Sequence, residues 1–428
     1  MHPRVIFVGA GPVGLMTAIQ TKLYYPDLPL LMIEKHAEYK RSHSLFIESS
    51  SFKGSHPNED FQKFISRLPS KIRTNELEDL LLNYARKLGI DIIYKEINDC
   101  RALQYEYPSA EIIIGADGSH SKVHEQIFNQ EYQLKKTLRY IAEVKYDVLG
   151  STRAMPVLGE GSLALQYAKH PVIEFIGKES EGKTSVAIRI FIDEKTYDAM
   201  KMATFKAPYH LTDKNKIDSS LYKSMTGWLD ARQTMIGEIR EENSERISVT
   251  NLPVYASKDF VKRDNNITYM LVGDAAFGVP YFRSLNNGFL CSTRLAKTVC
   301  ALLKQEKIKK ESLFSSFKKS KLSNETLLEP TEFYTRYMQK LIKHEDIMAS
   351  LRDWKVSSLA STAYTVQHLP VNKVKVAIIP GAKEFVRHAK ASEEPSSGFF
   401  KSSFFSSVQS SEQNDVAIVP KHKGCSIM

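Results

Sequence analysis

The chain has 428 residues, 42% hydrophobic and 25% charged, with a formal net charge of +10. That length accommodates two domains and a tail, and the composition belongs to a globular chain rather than a fibrous or wholly disordered one. No window reaches the ~18 apolar residues of a membrane span, and strand-like sequence from residue 5 leaves no room for a signal peptide.

Val5-Ile-Phe-Val8 is an apolar run, β-branched and aromatic, which predicts a strand buried on both faces. Gly9-Ala-Gly-Pro-Val-Gly14 follows as G-x-G-x-x-G, and Leu15 to Leu23 has the spacing of an amphipathic helix. In that setting the first glycine allows a tight turn and the second lets a pyrophosphate approach the backbone. The third lets helix and strand pack closely, and the helix N-terminus faces the anion. Leu30-Leu-Met-Ile-Glu34 is the next strand and places an acid 20 residues after Gly14. Strand, loop, helix and acid together predict a dinucleotide site; an empty fold of the same shape is the competing reading.

A polar connection from His36 to Ser44 carries Arg41 and His43, the latter read as a surface histidine. Phe61, Phe64 and Ile65 mark a short helix within loop-like sequence. A helix is predicted over 73–89, with Leu77, Leu80, Leu81, Tyr84 and Leu88 on one face, Thr74 or Asn75 as cap and Gly89 as stop. Ile90 to Tyr94 is a strand. Glu111-Ile-Ile-Ile-Gly-Ala-Asp-Gly118 then repeats the strand–turn–helix pattern, although an aspartate at a glycine turn is ordinarily a turn former.

From about Thr137 to Thr250 the character changes. Tyr140 to Tyr146, Val172 to Ile176, Thr184 to Ile192 and Ile247 to Thr250 are strand-like, with a helical stretch around Tyr197 to Gln233. Ile267 to Ala276 returns to a buried strand ending in Gly273-Asp274, and Asn286 to Leu303 reads as a helix. The predicted class is therefore α/β (α+β). A discontinuous Rossmann-like domain spans 1–136 and 251–304, an antiparallel-sheet substrate domain spans 137–250, and C-terminal helices occupy 305–390. The Ser-, Lys- and Phe-rich composition of 391–428 predicts a disordered tail.

Residues 305–350 form a basic amphipathic pattern that Pro330 interrupts; core packing is the favoured reading, a membrane or partner helix the other. The late lysines form a solvated face or meet an anionic membrane or acidic protein. No nucleic-acid-binding motif accompanies them, so nucleic acid is not expected. Cys100, Cys291, Cys300 and Cys425 have no metal or disulfide spacing, which predicts a reducing compartment. Cys425-Ser-Ile-Met428 fits C-a-a-X of the farnesyl type, and Lys421 and Lys423 supply a second membrane signal. The expected location is the cytosolic face of membranes in a eukaryotic cell, for a eukaryotic protein or one delivered by a microbe.

The three glycine-containing strand ends, Gly9 to Gly14, Gly115-Ala-Asp-Gly118 and Gly273-Asp-Ala-Ala276, together resemble the class A flavoprotein monooxygenases of p-hydroxybenzoate-hydroxylase-like fold. The kynurenine 3-monooxygenase and MICAL-type branch is the nearest match, over roughly residues 1–310. The resemblance implies FAD, NAD(P)H as reductant, and oxygen transfer to an electron-rich substrate, a small aromatic molecule or a protein side chain. It implies that Gly9, Gly11, Pro12, Val13 and Gly14 hold the pyrophosphate and that Glu34 binds ribose. Lys35 followed by Arg41 resembles a pattern in which the arginine contacts FAD, and Arg73 resembles one that approaches the flavin; a surface role is the alternative for both arginines. Asp117 and Gly118 are implied to touch FAD and support NAD(P)H use, Gly273 and Asp274 to bind the ribityl chain. Pro280, Asn287 and Gly288 match the loop and helix that face the flavin pyrimidine.

One departure stands out. Arg283, Ser284 and Leu285 occupy positions where the family carries glycines that bring backbone N–H groups to the flavin. FAD binding is thus better supported than monooxygenation, and no side chain is singled out as catalytic. Two functions follow: a membrane-tethered FAD-dependent, NAD(P)H-using monooxygenase, or a non-catalytic flavoprotein-fold adaptor, such as a microbial effector, binding a protein partner at membranes.

Overall fold

Val5, Ile6, Phe7 and Val8 offer no polar side chain, and the computed structural model buries all four in β1 (Val5–Val8), in the interior of a sheet. The structure describes residues 2–37, 44–155, 170, 172–279, 283–314 and 329–368. In its first part α1 (Pro12–Tyr24), β2 (Leu30–Glu34), β3 (Ser44–Phe46), α2 (Glu59–Ser66) and β4 (Lys71–Arg73) follow β1. Next come α3 (Thr74–Lys87), β5 (Asp91–Tyr94), α4 (Leu103–Glu106), β6 (Ile112–Gly115), α5 (Lys122–Ile127) and β7 (Tyr132–Leu149). Then β8 (Val172–Ile176), β9 (Lys183–Ile192), α6 (Glu194–Met200), α7 (Ser219–Ile236), β10 (Ile239–Arg240) and β11 (Arg246–Ser257). The last are β12 (Val261–Asp264), β13 (Ile267–Leu271), β14 (Phe277–Gly278), α8 (Arg283–Phe314) and α9 (Pro330–His368).

The first sheet runs in the order β12-β13-β6-β1-β2-β5. Every neighbouring pair is parallel except β12 with β13. From β1 the chain passes through α1 to β2 on one side, while β6 enters on the other. Strand order therefore reverses at β1, and the crevice outside the carboxyl ends of such strands is where an open α/β sheet receives a ligand. Gly9 to Gly14 lies at that reversal.

The second sheet is antiparallel, in the order β14-β11-β7-β9-β8, with β10 added to β7. Its two long strands exceed the predicted segments. β7 has 18 residues and β11 has 12, continuing through Pro253 at a register shift. Proline has no N–H for the ladder, so the strand continues by bulging there. β14 pairs with Tyr255 and Ala256 of β11 immediately after the Gly273-Asp274 turn, and so joins the second sheet to the first. The α/β class, with parallel and antiparallel sheets followed by helices, is the one read from the sequence.

Leu80, expected on the core face of α3, is 41% exposed and lies off the buried face. Two further sequence expectations are corrected at helix starts. Neither Thr74 nor Asn75 caps α3; Arg73, leaving β4, holds the cap position and both predicted caps lie inside the helix. Pro330 does not interrupt a helix but opens α9, where a missing N–H costs nothing. The buried positions Tyr334, Met338, Ile342, Glu345 and Ala349 recur every three or four residues, which gives α9 one inward face. Among the described residues no helix is long and apolar enough to cross a membrane.

The second sheet has its own core, in which Leu221, Met225, Trp228 and Leu229 of α7 pack with Val144, Tyr146, Val186 and Ile188. Arg232 is buried among them. It meets Glu238 (Nη2–Oε2 2.6 Å) and Glu174 (Nη1–Oε1 2.6 Å), and donates to the Arg153 carbonyl at 2.9 Å. Tyr146 and Thr152 donate to Glu238, and Trp228 to Glu174. Burial alone would lower the Arg232 pKa; hydrogen bonding to Glu238 and the charge of Glu174 reverse this and raise it. Removing the one cation strands two buried carboxylates. Arg232→Met should therefore cost about 3–5 kcal/mol, read as a lower midpoint in denaturant unfolding; an unchanged midpoint would refute the assignment.

Candidate functional site

The glycine loop is dictated by contact. Gly9 has φ +100°, and a Cβ there would lie 2.5 Å from the Ala116 carbonyl oxygen. At Gly14 a Cβ would lie 2.6 Å from the Gly9 carbonyl oxygen. Any side chain at either position forces β1, α1 and the Ala116 turn apart. Gly11 differs, because a Cβ there would meet nothing within 4 Å. It caps α1, with Pro12 in the first turn, so the helix presents its unpaired N–H groups to open space.

Glu34 flanks that space. Its Oε2 accepts from the Ala10 N–H at 2.7 Å and its Oε1 from the His36 N–H at 3.0 Å. Lys35 is directed elsewhere, forming an exposed pair with Glu96 at 2.5 Å. Arg73 is exposed at the end of β4, and its own N–H faces Glu76 at 3.5 Å. Arg41, His43, Pro280, Tyr281, Phe282 and Cys425 lie outside the described residues, as does the 391–428 tail.

Asp117 performs the local task expected of a turn aspartate. Its Oδ2 accepts from the N–H groups of Lys122 (2.6 Å) and Val123 (3.4 Å), holding the start of α5, while Oδ1 is buried without a partner. Burial raises its pKa. Gly118 turns the chain at φ +81° and Gly273 at φ +63°. The exposed Asp274 follows, its carbonyl accepting from the Tyr255 hydroxyl at 2.9 Å. A Cβ on Gly273 would sit 3.0 Å from Val13 Cγ1, and one on Gly288 2.5 Å from Val13 Cγ2. Val13 is thus the point on which the Gly273 turn and α8 both close.

The departure at Arg283 to Leu285 is resolved by helix extension. α8 starts at Arg283, three residues before the predicted start at Asn286, because these residues favour a helix where glycines would oppose it. Ser284 Oγ accepts from the Val279 N–H and donates to the Val279 carbonyl. The Arg283 guanidinium turns to Glu345 on α9 (Nη2–Oε1 2.5 Å, Nε–Oε2 3.2 Å), a pair in which Glu345 is 1% exposed. Asn286 clamps the 46–48 backbone, accepting from the Glu48 N–H and donating to the Phe46 carbonyl. A helix beginning this early commits the Asn287 N–H to the carbonyl four residues before it. What remains is the Asn287 side chain, 1% exposed, with Nδ2 unpartnered.

Beside Glu34 a cleft of about 210 Å³ opens between the end of β2 and α3, lined by Ala10, Glu34, His36, Asn75, Glu78 and Tyr94 among others. Glu78 carries no mark in the sequence beyond its place on the polar side of a helix, and Asn75 only that of a candidate cap. Burial, with the nearby charges of Glu34 and Asp79, pushes the Glu78 carboxyl up from 4.5 to about 8. Between those values the folded chain holds a proton that the unfolded chain has released, so this group's effect on stability becomes less favourable as pH rises through the window. Glu78→Gln should therefore raise the melting temperature over wild type at pH 8 and much less at pH 4.5. An equal change at both pH values would show that Glu78 is not held as an acid.

No family model and no curated protein matches the sequence. Among solved structures, the tetracycline destructase Tet(51) aligns over 85% of this chain and 94% of its own, at TM-score 0.48 and 10% identity. The flavin-dependent halogenase CmlS aligns over 80% and 62%, at TM-score 0.47 and 12% identity. CabE, an aromatic hydroxylase from angucycline biosynthesis, aligns over 85% and 76%, at TM-score 0.45 and 14% identity. At such values the chemistry has to be read from the residues of this chain.

Proposed function

We propose that the chain is an FAD-dependent oxidoreductase using NAD(P)H, with monooxygenation of a small aromatic molecule or a protein side chain as its reaction. The observation that carries this reading is the buried, unpartnered amide of Asn287, in an α8 that packs on Val13 of the glycine loop. A buried donor with no acceptor costs about 1–3 kcal/mol, and a flavin carbonyl is an acceptor of the right kind. A Cβ on Gly11 would meet nothing within 4 Å, so a pyrophosphate could approach the backbone at the α1 N-terminus. Gly9, Gly11, Pro12, Val13 and Gly14 would hold that group, Glu34 the ribose, Asp274 the ribityl chain and Asn287 the pyrimidine edge.

FAD, when bound, supplies electron acceptance and oxygen activation, which no side chain here provides. The protein's part is placement. The α1 N-terminus offsets phosphate charge, and the Asn287 Nδ2 can donate to negative charge developing on the ring. Arg283, buried against Glu345, is taken up in fastening α9 to the start of α8 rather than facing a ligand. The adaptor reading retains one support: the Asn287 N–H is committed within α8, so one backbone donor implied by the resemblance is withdrawn.

The purified protein, or the protein reconstituted with FAD, should show flavin absorbance bands that bleach with NADPH. Asn287→Ala should weaken FAD about tenfold, or ~1.4 kcal/mol. Absence of flavin after reconstitution would overturn the enzyme reading, and a bound flavin inert to NADPH and NADH would favour the adaptor. We further propose peripheral membrane attachment through a prenylated Cys425, supported by the Cys425-Ser-Ile-Met sequence and by Lys421 and Lys423. Cys425→Ser should release a fluorescent fusion from membranes into the cytosol; unchanged localisation would refute the anchor.

A further inference from the structure

We infer that the outward face of α9 docks on an anionic membrane surface, laying Ile347, Leu351 and Trp354 among the lipid headgroups. The inference goes beyond prenyl attachment, because it concerns the folded body itself. Tyr334, Met338, Ile342, Glu345 and Ala349 take up the inward face of α9. Leu351 and Trp354 stand four and seven residues after Ile347, so the three share one stripe. At about 100° per residue that stripe points directly away from the buried one. Its side chains are 53%, 51% and 69% exposed in chain order, which leaves apolar surface turned to solvent over two helical turns.

Charge on α9 is sorted in the same way. From Phe333 to Trp354 its acids are Glu345, Asp346 and Asp353, and all three turn to the body of the protein. Glu345 pairs with Arg283, Asp346 with Lys136 (Oδ1–Nζ 2.5 Å) and Asp353 with Arg139. Arg336, Lys340 and Lys343 are exposed on the outward side, one to three turns before Ile347. Arg336 reaches back to Glu332 only at 3.8 Å. A helix whose acids are neutralised inward presents an outward surface of one sign, and that surface is complementary to anionic headgroups.

The size of the apolar stripe decides the kind of partner. A stable protein contact buries about 800 Å² per partner, well beyond what three side chains over two helical turns offer. A bilayer asks less, because the apolar groups need only enter the headgroup boundary while the cations meet phosphates. Tryptophan favours that depth. The inward face holds α9 flat against the body, so the stripe lies parallel to any surface it meets. Core packing and membrane contact thus belong to opposite faces of one helix. Stable attachment takes two signals, so this contact alone is reversible.

The test uses the full chain carrying Cys425→Ser, so that no prenyl group contributes, and phosphatidylcholine vesicles made with or without phosphatidylserine. The protein should co-sediment with the anionic vesicles about tenfold better than with the neutral ones, and added salt should release it. The chain has two tryptophans, and Trp228 is 6% exposed. A shift of emission to shorter wavelength on vesicle binding therefore reports Trp354, and Trp354→Phe should remove it. Leu351→Glu, and Lys340→Glu combined with Lys343→Glu, should each weaken anionic-vesicle binding about tenfold. The melting temperature should stay unchanged, because the replaced side chains are exposed. If neither kind of vesicle is bound, if both are bound equally, or if either variant binds as its parent does, the inference fails. It fails likewise if Leu351→Glu dissolves a dimer that ignores vesicles, since the stripe then joins two copies of the chain.

Discussion

The arrangement depends on backbones meeting with no side chain between them. Gly9 approaches the Ala116 carbonyl so closely that a single Cβ would fall 2.5 Å from it, and Gly14 closes on Gly9 in the same way. These contacts set the distance between β1, α1 and the turn after β6. Gly273 and Gly288 instead make room for the Val13 side chain, which brings the turn after β13 and the start of α8 to the same helix end. Close packing of this kind leaves no slack, so loops separated by more than 260 residues share one crevice.

Buried polar contacts then fix what glycine packing leaves adjustable. Thr17 donates to Ser292 at 2.9 Å and Gln20 to Thr293 at 3.1 Å, giving α1 and α8 one register along their seam. A hydrophobic seam would tolerate sliding; paired hydroxyls and an amide cost free energy when separated. At the far side of α8 the Arg283–Glu345 pair adds α9 to the same unit, with the Tyr334 hydroxyl bonded to the Leu271 carbonyl at 2.8 Å. The second sheet is organised separately around Arg232, whose two carboxylates draw α7, β8 and the chain after β7 together. It meets the first sheet through β14, directly after the turn that carries Asp274.

Side-chain assignments divide according to range. Gly9, Gly14 and Glu34 were legible because their constraints act over a few residues of one βαβ unit. Asp117 was legible as a turn former, and holding α5 is what one of its oxygens does. Arg283 was misleading. A residue that stands where glycine is expected beside a ligand instead finds Glu345, 62 residues later, a partner invisible to local pattern. Glu78 was overlooked for the converse reason. A glutamate on the polar side of α3 reads as solvated until β2 and β5 bring Glu34, His36 and Tyr94 against it.

The sequence by itself determined the α/β class, the buried β1, the glycine loop with its acid, and the order in which three strand-end turns occur. Hydrophobic period and glycine spacing are local, and they survive without knowledge of what packs where. Only the tertiary structure decided the early start of α8, the unpartnered Asn287 amide, the Arg283–Glu345 pair and the acid form of Glu78. Each depends on burial and on a partner far along the chain. The free energy of a polar group changes sign with those two quantities, and neither is written in the residues beside it.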